Sequence, residues 1–116
     1  MNYPESLEQQ LIVNWIRQKT TLPVIKIDNE GKRTRYMGAL AKRQGLCPGA
    51  SDLFIPRATK DYHGLWIEVK SEKGRLSPAQ IKFATDMINE GYQAVTVWNS
   101  EAAIEIIKSH YQLENH

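Results

Sequence analysis

Leu7, Leu11, Ile12 and Trp15 recur at helical spacing behind Pro4-Glu5, a stripe expected to face the core. A proline suits a first turn, where the N–H it lacks would have no intrahelical acceptor, so the pattern predicts a helix over residues 4–19. Pro23-Val-Ile-Lys-Ile27 is rich in β-branched residues and ends at the turn-forming Asp28-Asn-Glu-Gly31, which predicts a first strand. From Thr34 to Gln44 the pattern does not decide between a short helix and an ordered loop, and Gly45 ends it. After the turn Pro48-Gly-Ala-Ser51, the run Asp52-Leu-Phe-Ile-Pro56 reads as a buried strand. Leu65 to Lys70 reads as another, apolar until it meets Glu68. Ser77-Pro-Ala-Gln80 opens a helix with serine as N-cap and proline just inside it. Ile81, Ala84, Met87 and Ile88 are its expected buried stripe and Gly91 its stop. Tyr92 to Trp98 is a strand, and Ser100 is expected to cap a last helix with Ala103, Ile104, Ile107 and Tyr111 on one face.

That order of elements predicts an α/β fold, a mixed sheet of about four strands flanked by helices. A chain of 116 residues has room for one core and shows no repeat, linker or low-complexity tract, so a single domain over 1–116 is expected. The 41% hydrophobic and 24% charged residues are ordinary for a soluble globular protein. No segment approaches the run of about 20 apolar residues that spans a bilayer, and the start Met-Asn-Tyr-Pro-Glu lacks a secretory pattern. A cytoplasmic protein with no membrane association is expected. Cys47 is the only cysteine, which excludes an intramolecular disulfide and a cysteine-based zinc site; His63, His110 and His116 have no metal-site spacing. A Gly-x-x-x-x-Gly-Lys-Ser/Thr loop is missing, so no nucleotide cofactor is expected.

A net charge of +2 says little, but its distribution says more. Between Lys26 and Arg43 stand six basic residues against the two acids Asp28 and Glu30. Lys32, Arg33, Arg35, Lys42 and Arg43 are therefore candidate phosphate contacts, joined by Lys73 and Arg75. For each of them the plainer reading is a solvated surface charge.

The segments that carry chemistry are Pro48-Gly-Ala-Ser-Asp-Leu-Phe-Ile-Pro56 and Trp66-Ile-Glu-Val-Lys70. Alternation along a strand puts Glu68 and Lys70 on one face and Val69 in the core on the other. Asp52 lies opposite that patch if the two strands form a hairpin. Mg²⁺ takes oxygen ligands and keeps several waters, so Asp52, Glu68 and the Val69 carbonyl are a sufficient anchor, with Mn²⁺ as the other candidate. Such an ion lowers the pKa of an attacking water and neutralises charge developing on a phosphorus, while Lys70 orients the water or stabilises the transition state.

At these residues the sequence resembles the PD-(D/E)XK nuclease superfamily and, within it, the VRR-NUC family, over nearly the whole chain. Pro48 to Pro56 looks like the family's metal-ligand strand, Ile67-Glu-Val-Lys70 like its second motif, and Gly74-Arg-Leu-Ser-Pro-Ala-Gln80 like the helix start that follows. Glu5 and Gln9 fit the acid and glutamine of the family's first helix. Ser51 departs from the superfamily, where proline often precedes the aspartate; that proline shapes the turn and binds nothing. The resemblance implies a nuclease fold, divalent-metal dependence, hydrolysis leaving a 5′-phosphate, and, for short stand-alone bacterial or phage members, homodimers acting on branched DNA such as four-way junctions. It also makes Glu5 and Gln80 site residues.

Each of these has a plainer alternative. Asp52 can end its turn with an Asx hydrogen bond. Glu68 and Lys70 can be a solvent-facing pair on an edge strand, although Leu65, Trp66, Ile67 and Val69 make both faces apolar, as in a central strand. Glu5 suits a helix's first turn for dipole reasons alone, and Glu8, one turn on, is its rival. Gln80 can be an exposed early-helix residue. A second functional class, a non-catalytic nucleic-acid-binding module with the nuclease fold, is signalled by loss of the Asp, Glu and Lys, and all three are present. A restriction-type endonuclease needs recognition loops for which this length leaves no room.

Overall fold

The computed structural model describes residues 3–28, 43–45 and 47–113. Within them lie α1 (Glu5–Lys19), β1 (Ile25–Lys26), β2 (Leu53–Ile55), β3 (Leu65–Val69), α2 (Pro78–Asn89), β4 (Gln93–Val97) and α3 (Ser100–His110). The strands form one sheet in the order β1-β2-β3-β4. β1 with β2 and β2 with β3 are antiparallel; β3 with β4 is parallel, and α2 makes the crossover that a parallel pair requires. The expected mixed sheet of four strands flanked by helices is what forms. The undecided segment lies, apart from Arg43 and Gln44, outside the described residues.

β3 has a strand on either side, which is why its sequence is apolar on both faces. Leu65, Ile67 and Val69 point to one face with Leu53, Ile55 and Val97, and there meet Ile12 and Ile16 of α1 and Ala103 and Ile107 of α3. These residues are the core. On the opposite face Phe54 stacks on Trp66 at 4.1 Å between ring centroids, and Phe83 of α2 meets Trp66 edge-on at 4.9 Å. Glu68 alternates onto this second face, under α2.

Three helix expectations are corrected. In α1 the buried positions are Glu8, Gln9, Ile12 and Ile16, and Leu11 lies on the exposed flank. In α2 Phe83 is buried, whereas Ile81 and Ile88 are 52% and 51% exposed. The helix is turned so that Phe83 reaches Trp66 and Gln80 reaches Glu68, which leaves the Ile81/Ile88 line on the outer side. The N-cap of α3 is Asn99, whose Oδ1 accepts the Ala102 N–H at 2.8 Å; Ser100 is the first helical residue. Ser77 caps α2 as expected, with Gln80 completing a reciprocal capping box, and Gly91 follows the helix end with φ +94°. Among the described residues no helix is long and apolar enough to cross a membrane.

Candidate active site

The β2–β3 hairpin sets Asp52, just before β2, beside the end of β3. Its Oδ2 accepts the Val69 N–H at 2.7 Å. The next amide, that of Lys70, donates the other way, to the Val97 carbonyl at 2.9 Å. Amide direction alternates along a strand, so Val69 turns both its N–H and its carbonyl toward Asp52. The Asx-turn alternative for Asp52 yields to this contact across the hairpin.

Glu68 is buried, and its Oε2 accepts a hydrogen bond from Gln80 Nε2 at 3.2 Å. The same oxygen pairs with Lys70 Nζ at 3.8 Å, and the Lys70 side chain is only 12% exposed. Oε1 of Glu68 is buried with no hydrogen-bond partner. Burial, and then the Asp52 charge, push the Glu68 carboxyl up to about 8, and burial also raises Asp52. The two carboxyls stand close enough for the charge of one to be felt by the other, and the Asp52 charge is the second cause of the Glu68 shift. Two buried carboxyls beside one another resist ionising together, and a cation held between them would relieve that cost.

Glu5 Oε2 accepts the Ser71 N–H at 3.1 Å, one residue past Lys70, and its charge raises both Asp52 and Glu68. Its rival Glu8 is turned elsewhere: Oε1 accepts the Ser100 N–H at 3.1 Å, serving the start of α3. Gln80 is held from two sides, because its Oε1 accepts the Ser77 N–H at 2.8 Å while its Nε2 faces Glu68. Asp52, Glu68, Val69, Lys70, Glu5 and Gln80 thus meet at one end of the sheet. Among the described residues no group of three His, Cys, Asp or Glu side chains could hold a metal ion by itself. Two carboxylates plus a backbone carbonyl, with one buried carboxylate oxygen unpartnered, are a donor set that fits a hard cation.

Lys73 and Arg75 are exposed on the loop between β3 and α2, and Arg43 is exposed. Lys32, Arg33, Arg35 and Lys42 lie outside the described residues. A cleft lined by Arg57, Lys60, Tyr62, His110 and Tyr111 opens at the far end of the β2–β3 hairpin and shares no residue with the carboxylate cluster.

Sequence reasoning missed Gly49. It has φ +80°, and a Cβ there would run into the backbone of Ala79 and Gln80. The Pro-Gly turn is therefore the seat of the α2 N-terminus that carries Gln80, and the glycine itself was the available signal. The tie from Trp98 Nε1 to the Gly74 carbonyl, 2.9 Å, was also not foreseen.

This fold, with carboxylates and a lysine gathered at the end of a mixed sheet, is that of PD-(D/E)XK nucleases. The model of the VRR-NUC domain family matches residues 2–102, and the chain belongs to that family. A solved structure described as a VRR_NUC domain protein is similar over 99% of this chain and 93% of its own, with a TM-score of 0.81 and 25% identity. No curated protein matches the chain. The domain is of a nuclease type.

Proposed function

We propose that the chain is a divalent-metal-dependent endodeoxyribonuclease that hydrolyses DNA phosphodiester bonds, with branched DNA such as a four-way junction as its substrate. The observation that carries this reading is the Glu68 carboxyl: buried near the Asp52 carboxyl, with one oxygen unpartnered and a lysine at its side. A buried acid pair of this kind is costly unless something compensates it. Asp52, Glu68 and the Val69 carbonyl would hold Mg²⁺ or Mn²⁺, and Glu5 would support the ion through its water shell. Bound there, the ion would supply a lowered pKa for the attacking water and a positive charge against the phosphoryl oxygens.

The protein's own residues do the rest. Lys70 orients the water for in-line attack and meets the charge that grows on the phosphate in the transition state. Gln80 keeps Glu68 in one orientation, which matters because a misplacement of about 1 Å can cost about 10²-fold in rate. Lys73 and Arg75 take backbone phosphates beside the cut, and Arg43 with Lys32, Arg33, Arg35 and Lys42 extends that contact. Cutting both strands of a junction takes two sites and one chain offers one, so the working form is a homodimer. A monomeric mass by light scattering with DNA present would remove that part.

The test is cleavage by wild type and Lys70→Ala on four-way junction, flap, linear duplex and single-stranded DNA, with Mg²⁺, Mn²⁺ or EDTA. Wild type is expected to cut only with metal and to favour the junction, and Lys70→Ala to bind as well and cut nothing. Full activity in Lys70→Ala would sink the mechanism.

A further inference from the structure

Of the three tryptophans, Trp15 and Trp66 are half-buried, Trp15 under the Lys108 ammonium and Trp66 between Phe54 and Phe83. Trp98 is 44% exposed, and among the described residues no ring or cation stands against its faces. It directly follows Val97, whose carbonyl accepts the Lys70 N–H. Its Nε1–H donates to the Gly74 carbonyl at 2.9 Å. Gly74 in turn lies against the site: its N–H is given to the Ser71 carbonyl at 2.8 Å, and a Cβ built on it would be 3.3 Å from the Lys70 Cβ. A large indole is therefore pinned by its polar edge to the loop that joins Lys70 to Gln80, with close to half of its surface open to water. The exposed Lys73 and Arg75 flank Gly74 on the same loop.

Leaving a tryptophan face in water forfeits the burial that ordinarily fixes one. A hydrogen bond that restrains the ring makes it a partly preorganised stacking surface, with less ordering entropy to lose when something lies on it. Bases inside a duplex are stacked on one another and cannot reach such a surface, whereas an unpaired base has a free π-face. We propose that Trp98 is the platform of a subsite for one unpaired nucleobase beside the scissile phosphate, the flanking cations holding that nucleotide's backbone. The subsite deepens the nuclease reading and rests on it: it makes the preferred substrate one with an unpaired nucleotide at the cut, as a branch point supplies.

The experiment is binding by fluorescence anisotropy in Ca²⁺, with a labelled duplex carrying a single unpaired thymidine, its counterpart with an abasic nucleotide at that position, and the fully paired duplex. Wild type is expected to bind the thymidine bulge about tenfold or more tightly than the abasic one. Trp98→Phe keeps a π-face and loses the Gly74 bond, and so retains most of that preference. Trp98→Leu keeps bulk and loses the face, and binds both DNAs alike. Equal binding of both bulges by wild type, or a preference unchanged in Trp98→Leu, overturns the subsite. If Trp98→Phe loses the preference as completely as Trp98→Leu, the ring serves only to brace the loop and the subsite also falls. Cleavage of the paired duplex with Mg²⁺ is followed in parallel: a wild type that cuts but shows no base preference removes the subsite alone, and one that neither binds nor cuts any DNA removes the nuclease reading with it.

Discussion

Glu68 must give up a proton before it can take a cation, and this couples metal, pH and stability in one side chain. Its carboxyl is raised by burial and by Asp52, from the ordinary carboxylate range to about 8. The folded protein therefore binds more protons than the unfolded chain between those limits. Stability is complete below the ordinary carboxylate pKa and is lost as pH rises through about 8. Without metal, the melting temperature should fall from pH 6 to pH 9, and Glu68→Gln, which stays neutral, should flatten that fall while abolishing cleavage. An equally steep fall in the variant would place its origin elsewhere. Mn²⁺ or Mg²⁺ has to displace the same proton, so either ion should raise the melting temperature more at pH 8 than at pH 6. Removing metal with EDTA should return the metal-free curve.

Gly49 is the residue-scale counterpart on the backbone. A β-carbon there meets Ala79 and Gln80 and stands on a left-handed residue, two penalties at once. Gly49→Ala should cost roughly 1–3 kcal/mol in urea unfolding and lower the cleavage rate as well, because the segment it displaces carries Gln80. A variant as stable and as active as wild type would show that the contact gives way freely. The sequence marked this glycine as a turn residue; it could not mark the helix 30 residues later against which the turn closes.

Among the elements, α2 ties secondary structure to chemistry most directly. The Gln80 amide completes the capping box with its oxygen and holds Glu68 with its nitrogen, so one rotamer serves both. The two roles separate by substitution. Gln80→Glu keeps an acceptor for the Ser77 N–H but brings a third carboxylate to Glu68; helix content should persist while cleavage falls and the optimal pH rises. Ser77→Ala removes the acceptor for the Gln80 N–H and should cost about 1 kcal/mol with a smaller effect on rate. If both variants lost the same stability and the same activity, cap and site would be a single structural effect.

The start of α2 was legible because Ser-Pro-x-Gln is a local signal, and β3 because a strand apolar on both faces is a central one. The Asp52, Glu68 and Lys70 meeting was legible because alternation and a short hairpin leave few other arrangements. The face that α2 buries was not legible. Apolar residues stand on both sides of that helix, and the choice fell to Phe83 through Trp66, a partner in another element. Asn99 and Ser100 are adjacent capping types, and Glu8, remote in sequence, takes the Ser100 amide. That same bond separates Glu5 from Glu8, a choice the first turn of α1 by itself leaves open.

On the scale of the whole molecule, a net charge of +2 is too small to hold a polyanion by long-range attraction, so grip on DNA must come from where the cations stand. Two ends of the sheet offer them. Lys73 and Arg75 flank the carboxylate cluster, while Arg57 and Lys60 border the cleft at the far end, and Arg57 is already engaged by Thr21. Each phosphate contact adds about 0.9 to the slope of log affinity against log salt concentration. Binding of a junction DNA measured from about 50 to 200 mM salt should therefore lose up to about two units of slope in the Lys73→Ala/Arg75→Ala double variant. Affinity should weaken alike for all sequences, since phosphates carry none. Lys60→Ala should leave both slope and affinity as they were. The reverse result, with Lys60→Ala lowering the slope and the double variant unchanged, would put the DNA across the far cleft, out of reach of Asp52 and Glu68. Chemistry at the carboxylate pair needs the duplex at its own end of the sheet, so this measurement tests the site and the grip together.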